Sequence, residues 1–246
     1  MWRPLVDLLR GRRTAGRPPS GNGASSFHLT WMDVAPAMEV SVELDVFEPP
    51  RTDRLYFWAV QASFAPGGGG AHLGLQWNPR HLGGRAVNWG GYERGGSLRA
   101  GTDSPLPSSL EDVNTRTWPW EPRRKYRLRI HRGSDPGWWS GEVANLTSGA
   151  ATHVRELAGG GELLDGIAVW SEVFADCDAP SVAVRWSRPR ALLPDGRLVS
   201  PVRYRCDYQG YERGGCTNTD SYPDEAGVVQ RTNTPRVHSP GSLIGP

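Results

Sequence analysis

In residues 38–48, MEVSVELDVFE, apolar and polar side chains alternate: Val40, Val42, Leu44 and Val46 fall on one side, Glu39, Ser41, Glu43 and Asp45 on the other. A period of two lines one face of an extended strand. Around a helix, the same four aliphatics would be scattered. Pro49 and Pro50 close the segment. The pattern recurs in AHLGLQW (71–77), AVNW (86–89), YRLRIHR (126–132), WWSGEVANL (138–146), IAVWSEVF (167–174) and SVAVRWS (181–187), while LYFWAVQASF (55–64) is apolar enough for a central strand. With 31 Gly and 21 Pro in the chain and no helical period, it reads as all-β: a jelly-roll β-sandwich with long Gly/Pro-rich loops.

Three regions follow. Residues 1–26 form an Arg-rich leader expected to be disordered, 27–190 the sandwich, and 191–246 a loop-rich C-terminal extension packed on it. The first residues do not form a convincing signal peptide, and no apolar run reaches the ~20 residues of a membrane helix. The expectation is a cytoplasmic protein with no membrane contact; an extracellular one is the alternative. A net charge of +2 gives no case for nucleic acid. Of the three cysteines, Cys206 and Cys216 bracket a Gly-rich loop and are the disulfide candidates, leaving Cys177 free.

Parity nominates a binding face. Gln61, His72, Gln76, Asn88, Trp170 and Glu172 all stand opposite the apolar side of their strands. If those strands are neighbours, one sheet face gathers amides, a carboxylate and an indole. Amides hydrogen-bond hydroxyls and an indole packs on the apolar face of a sugar ring. Trp77, Asn78, Trp89, Tyr92 and Arg94 lie in or beside the same strands and join the candidate ligand-binding set. Glu172, Asp176 and Asp178 are a weak alternative as oxygen ligands for Ca²⁺; otherwise neither metal nor cofactor is expected.

The hexamer GYERGG occurs twice, at 91–96 and 210–215. Its glycines suit tight turns. The two copies either repeat a turn chemistry or lie side by side and rim one site.

ELDVFE (43–48) resembles the E-x-D-x-x-E signature of laminarinase-type glycoside hydrolases. The resemblance implies Glu43 as nucleophile, Glu48 as acid/base and Asp45 between them, aligned by a strand bulge. Retention needs the two carboxyls about 5–5.5 Å apart. The elements YFWAVQASF, GAHLGLQWNP, AVNWGGY, NTRTWPW with YRLRI, and WSEVFADCDAPSVAVRWS resemble a group of bacterial, often actinobacterial, domains of unknown function. These are similar to lectin-like, concanavalin-type sandwiches. That resemblance implies a lectin-like jelly roll and carbohydrate recognition. The leading expectation is a non-catalytic carbohydrate-binding protein. The alternatives are a glycoside hydrolase or lyase using the ELDVFE carboxylates, and a structural or protein-interaction module.

Overall fold

A computed structural model describes residues 24–245 apart from Ser109. In chain order the strands are β1 (Ser25–Met32), β2 (Glu39–Glu48), β3 (Tyr56–Ala65), β4 (Gly70–Trp77), β5 (Arg85–Tyr92), β6 (Thr115–Thr117), β7 (Lys125–Arg132) and β8 (Trp138–Asn145). They continue as β9 (Ala151–Ala158), β10 (Leu163–Val173), β11 (Ala183–Leu192), β12 (Leu198–Val199), β13 (Arg203–Tyr208), β14 (Thr219–Asp224), β15 (Gly227–Thr232) and β16 (Leu243–Ile244). Two single 3₁₀ turns complete the secondary structure of the described residues.

The strands form two antiparallel sheets. The first runs β16-β13-β1-β10-β3-β4-β5-β6; the second runs β14-β15-β11-β2-β7-β8-β9, with β12 on β11. Their inner faces enclose one core: Val40, Val42, Leu44 and Val46 of β2, with Leu128 and Ile130 of β7, meet Trp58, Val60, Leu73, Val87 and Trp89 of the first sheet. Gly141 is needed in this layer. The Trp89 indole crosses from the opposite sheet so closely that a Cβ on Gly141 would stand 2.6 Å from the ring. The all-β sandwich expected from the alternation is the fold observed.

Two boundaries differ from expectation. The disordered leader was expected to run to residue 26; residues 1–23 lie outside the described residues, but Ala24 is buried and β1 begins at Ser25. Residues 191–246 are not an extension laid on the sandwich. β13 pairs with β1 in the first sheet and β15 with β11 in the second, so the C-terminal segment completes both. Its strands are hard to read because inward positions carry polar residues, such as Gln230 (1% exposed), and β14 contains Pro223.

The disulfide also differs from the expected Cys206–Cys216 pair. Cys177 is bonded to Cys216, with Cα atoms 5.5 Å apart, and Cys206 is free and buried. Cys206 sits at an inward position of β13, opposite Leu29 of β1 and within the core. Cys216 lies beyond the turn, where its N–H donates to Ser25 Oγ at 2.8 Å, beside the chain leaving β10.

Candidate ligand-binding face

The outer face of the first sheet is built by four antiparallel neighbours, β10, β3, β4 and β5. Their register sets Gln61 opposite His72, Phe57 opposite both Gln76 and Glu172, Trp170 opposite Ala59, and Asn88 opposite Gly74. All six residues nominated by parity are therefore on one face. Ala59 and Gly74 form a floor without large side chains. A Cβ on Gly74 would stand 2.0 Å from the Trp58 carbonyl oxygen, so β3 and β4 approach this closely only with glycine there.

Trp170 is the centre of the face. With Phe57 and Ala59 it forms a small apolar cluster separate from the main core. Phe57 meets its ring edge-on at 4.8 Å, His72 stands at 5.5 Å and His28 of β1 at 6.0 Å. The indole N–H donates to Gln61 Oε1 at 3.1 Å. Gln76 Oε1 accepts from Asn78 Nδ2 at 2.8 Å, and Asn88 Nδ2 donates to Thr115 Oγ1 at 2.8 Å. Asn88 Oδ1 is buried without a hydrogen-bond partner among the described residues.

The ionisable groups of the face are pushed toward their neutral forms. Burial lowers His72 to about 4, against a raising influence from Asp112. Burial also lowers His28, opposed by Asp207. Burial raises the carboxyl of Glu172, which forms no hydrogen bond or ion pair with the described residues. Desolvation penalises the charged form in each case.

Other candidates are not part of this face. Trp89 is fully buried in the inter-sheet core. Trp77 packs against that core and donates its N–H to the Thr52 carbonyl at 3.1 Å. Both stand on the inward parity, so neither indole is presented to a ligand on the outer face. Asn78 is buried just beyond β4 and fixes Gln76. Tyr92 shares the outward parity at the far end of β5, and Arg94 belongs to the exposed turn after it.

The two GYERGG loops do not share a site. β13 and β5 are separated by four strands, about 24 Å at the usual spacing. The pairing also places Tyr92 and Tyr208 at opposite ends of the sheet. The backbones differ too: the first copy closes through Gly96 at φ 85°, the second is a 3₁₀ turn closed by Gly214 at φ 99°.

The ELDVFE carboxylates lie on the outer face of the second sheet. A register shift between Asp45 and Glu48 supplies a bulge. Each carboxylate is held by arginine. Glu43, its side chain 3% exposed, sits beside Arg127 at 3.5 Å and Arg188 at 3.7 Å; Asp45 faces Arg185 at 3.8 Å; Glu48 is bound by Arg231. Phe47 packs under Arg185 at 4.7 Å. This is an ion-pair ladder with its nucleophile position covered, not a cleft. Among the described residues no three His, Cys, Asp or Glu side chains come together to hold a metal ion, so Glu172, Asp176 and Asp178 are not gathered into a Ca²⁺ site.

Ser26, His28, Thr30 and Phe57 join the face although they were not among the expected residues. The parity signal was present in SSFHLTWM, where Phe27, Leu29 and Trp31 are buried and Ser26, His28 and Thr30 alternate with them. What the sequence lacked was the pairing of β1 with β10.

No protein-family model and no curated protein matches the chain. Among solved structures, the chain is similar to scytalido-glutamic peptidase with a peptide based transition state analog: TM-score 0.51, 12% identity, covering 89% of this chain and 99% of that one. A second similar structure is SCP-B, a member of the eqolisin family of peptidases, in complex with the tripeptide Ala-Ile-His, at TM-score 0.47 and 12% identity with the same coverage. The first of these supports a shared sandwich fold. Among the described residues no helix is long and apolar enough to cross a membrane.

Proposed function

We propose that the outer face of the first sheet is a non-catalytic binding surface for carbohydrate. The observation that carries this reading is the surrounding of Trp170: an aromatic cluster flanked by Gln61, Gln76 and Asn88, in which His72, His28 and Glu172 are driven toward uncharged forms. Neutral amides and hydroxyls match a polyol, and aromatic carbon matches the C–H face of its ring. Glycoside hydrolysis of the usual kind needs two carboxyls across the scissile bond. On this face Glu172 lies between Ser26 and Phe57, and Asp207, two strands away on β13, is paired with Arg205, which favours binding over catalysis.

Calorimetric titration against neutral and acidic oligosaccharides tests the reading. Binding that falls at least tenfold in Trp170→Ala supports it; no heat with any saccharide at millimolar concentration overturns it. A second reading, an extended peptide on the same face, is favoured by one observation: a peptidase of this fold is known with a peptide-based analog. Short peptides form the second arm of the titration. The Cys177–Cys216 bond supports an oxidising compartment in place of the cytoplasmic setting first expected.

A further inference from the structure

Beside the Trp170 cluster the same outer face opens into a hollow. A cavity of about 350 Å³ lies between β1, β13 and the turn after β13, lined by Ser26, His28, Asp207, Tyr208, Gln209 and Arg213. It adjoins the Trp170 cluster: the His28 ring is 6.0 Å from that of Trp170, and Ser26 is the register partner of Glu172.

The charges of this hollow are unequal. Asp207 is already matched, with Arg205 Nε at 3.0 Å and the Thr30 hydroxyl at 3.4 Å. Arg213 has no carboxylate partner among the described residues; its side chain lies back along Gly210. Glu212 is exposed and does not line the cavity. The turn carrying Arg213 is well held. Gln209 Oε1 accepts from the Ser26 N–H at 3.0 Å and hydroxyl at 2.9 Å, and Gln209 Nε2 donates to the Arg213 carbonyl. Gly215 N–H donates to the Gly210 carbonyl at 3.0 Å. The spare ionic group is thus an exposed guanidinium carried on a held turn, and its planar fork suits a carboxylate.

We propose that this cavity is an acidic-sugar subsite, taking the carboxylate of a uronic acid unit on Arg213 while neighbouring units reach the rim of the cluster around Trp170, which is 6% exposed. The inference rests on the carbohydrate reading of the face and names which carbohydrate it prefers. Asp207, paired with Arg205, remains as an acceptor for a sugar hydroxyl.

The test titrates the full chain with an oligouronate and a neutral oligosaccharide of equal length, at low and at high salt. The oligouronate is expected to bind about tenfold more tightly, with the preference shrinking as salt rises. Arg213→Gln should bring the oligouronate down to the affinity of the neutral chain, while Trp170→Ala should lose both ligands. Arg213 is exposed, so its variant is expected to fold, and an unchanged thermal midpoint checks this. Equal binding of the two chains, or a preference that survives Arg213→Gln, overturns the subsite and leaves the broader reading standing. Binding of neither ends both.

Discussion

Gln230 of the second sheet accepts a hydrogen bond from Ser171 of the first, Oγ to Oε1, at 2.8 Å in the middle of the sandwich. The same oxygen accepts from the Trp186 indole at 2.9 Å, and the amide nitrogen donates to the Phe27 carbonyl at 2.9 Å. One side chain thereby ties β15 to β1, β10 and β11. Gln230→Leu keeps the volume but strands two donors and an acceptor away from water. The expected cost is roughly 2–4 kcal/mol, read as a lower urea midpoint at unchanged slope.

The disulfide gives a second prediction. Cys177→Ser should destabilise by roughly 2–4 kcal/mol, since the bond closes a long loop in the unfolded chain. Peptide mapping without reductant should recover 177 linked to 216. Cys206, fully buried, should resist alkylation until the protein unfolds. A 206–216 linkage in the folded protein would contradict the structure.

His72 makes stability depend on acid. Its folded pKa of about 4 lies below its ordinary 6.5, so the unfolded chain binds the proton first. Stability from this residue is complete above about pH 6.5 and is lost as pH falls toward about 4. His72→Gln should flatten that part of the stability–pH curve. The same slope in both proteins would show that the imidazole is not buried as described.

Glu172 acts with the opposite sign. Its folded pKa is raised, so the native state holds the proton longer and stability falls as pH climbs past the ordinary carboxyl range. Glu172→Gln should stabilise the protein at neutral pH and do little in acid. A carboxyl kept here at a cost to stability is what a binding face would show.

Glu43 needs its arginines. With its side chain almost wholly covered and Arg127 and Arg188 beside it, replacing both arginines by Met leaves a buried carboxylate unmatched. A loss of about 3–5 kcal/mol is expected, largely restored by adding Glu43→Gln. Chemical denaturation of the double and triple variants measures both steps.

Much of the face was legible because side-chain direction in a strand is local. Gln61, His72, Gln76, Asn88, Trp170 and Glu172 fell together from alternation alone, once β10, β3, β4 and β5 proved to be neighbours. What alternation does not carry is pairing between distant segments. That gap hid His28 and the cavity beside it, and it misassigned Cys206. Trp77 and Trp89 were added to the site on residue type, against their parity, and parity was right. GYERGG looked like one feature seen twice, yet its copies take different turns, because backbone is set by the strands each turn must join.

The late strands have a consequence during synthesis. Until residues beyond 198 leave the ribosome, β1 lacks β13 and β11 lacks β15, so both sheets carry an open hydrogen-bonding edge. A nascent chain ending at residue 190 holds most of the aromatic core but completes neither sheet. Its folding waits on contacts far apart in sequence, which are slow to form, and in that interval the waiting edges are where neighbouring chains would add themselves.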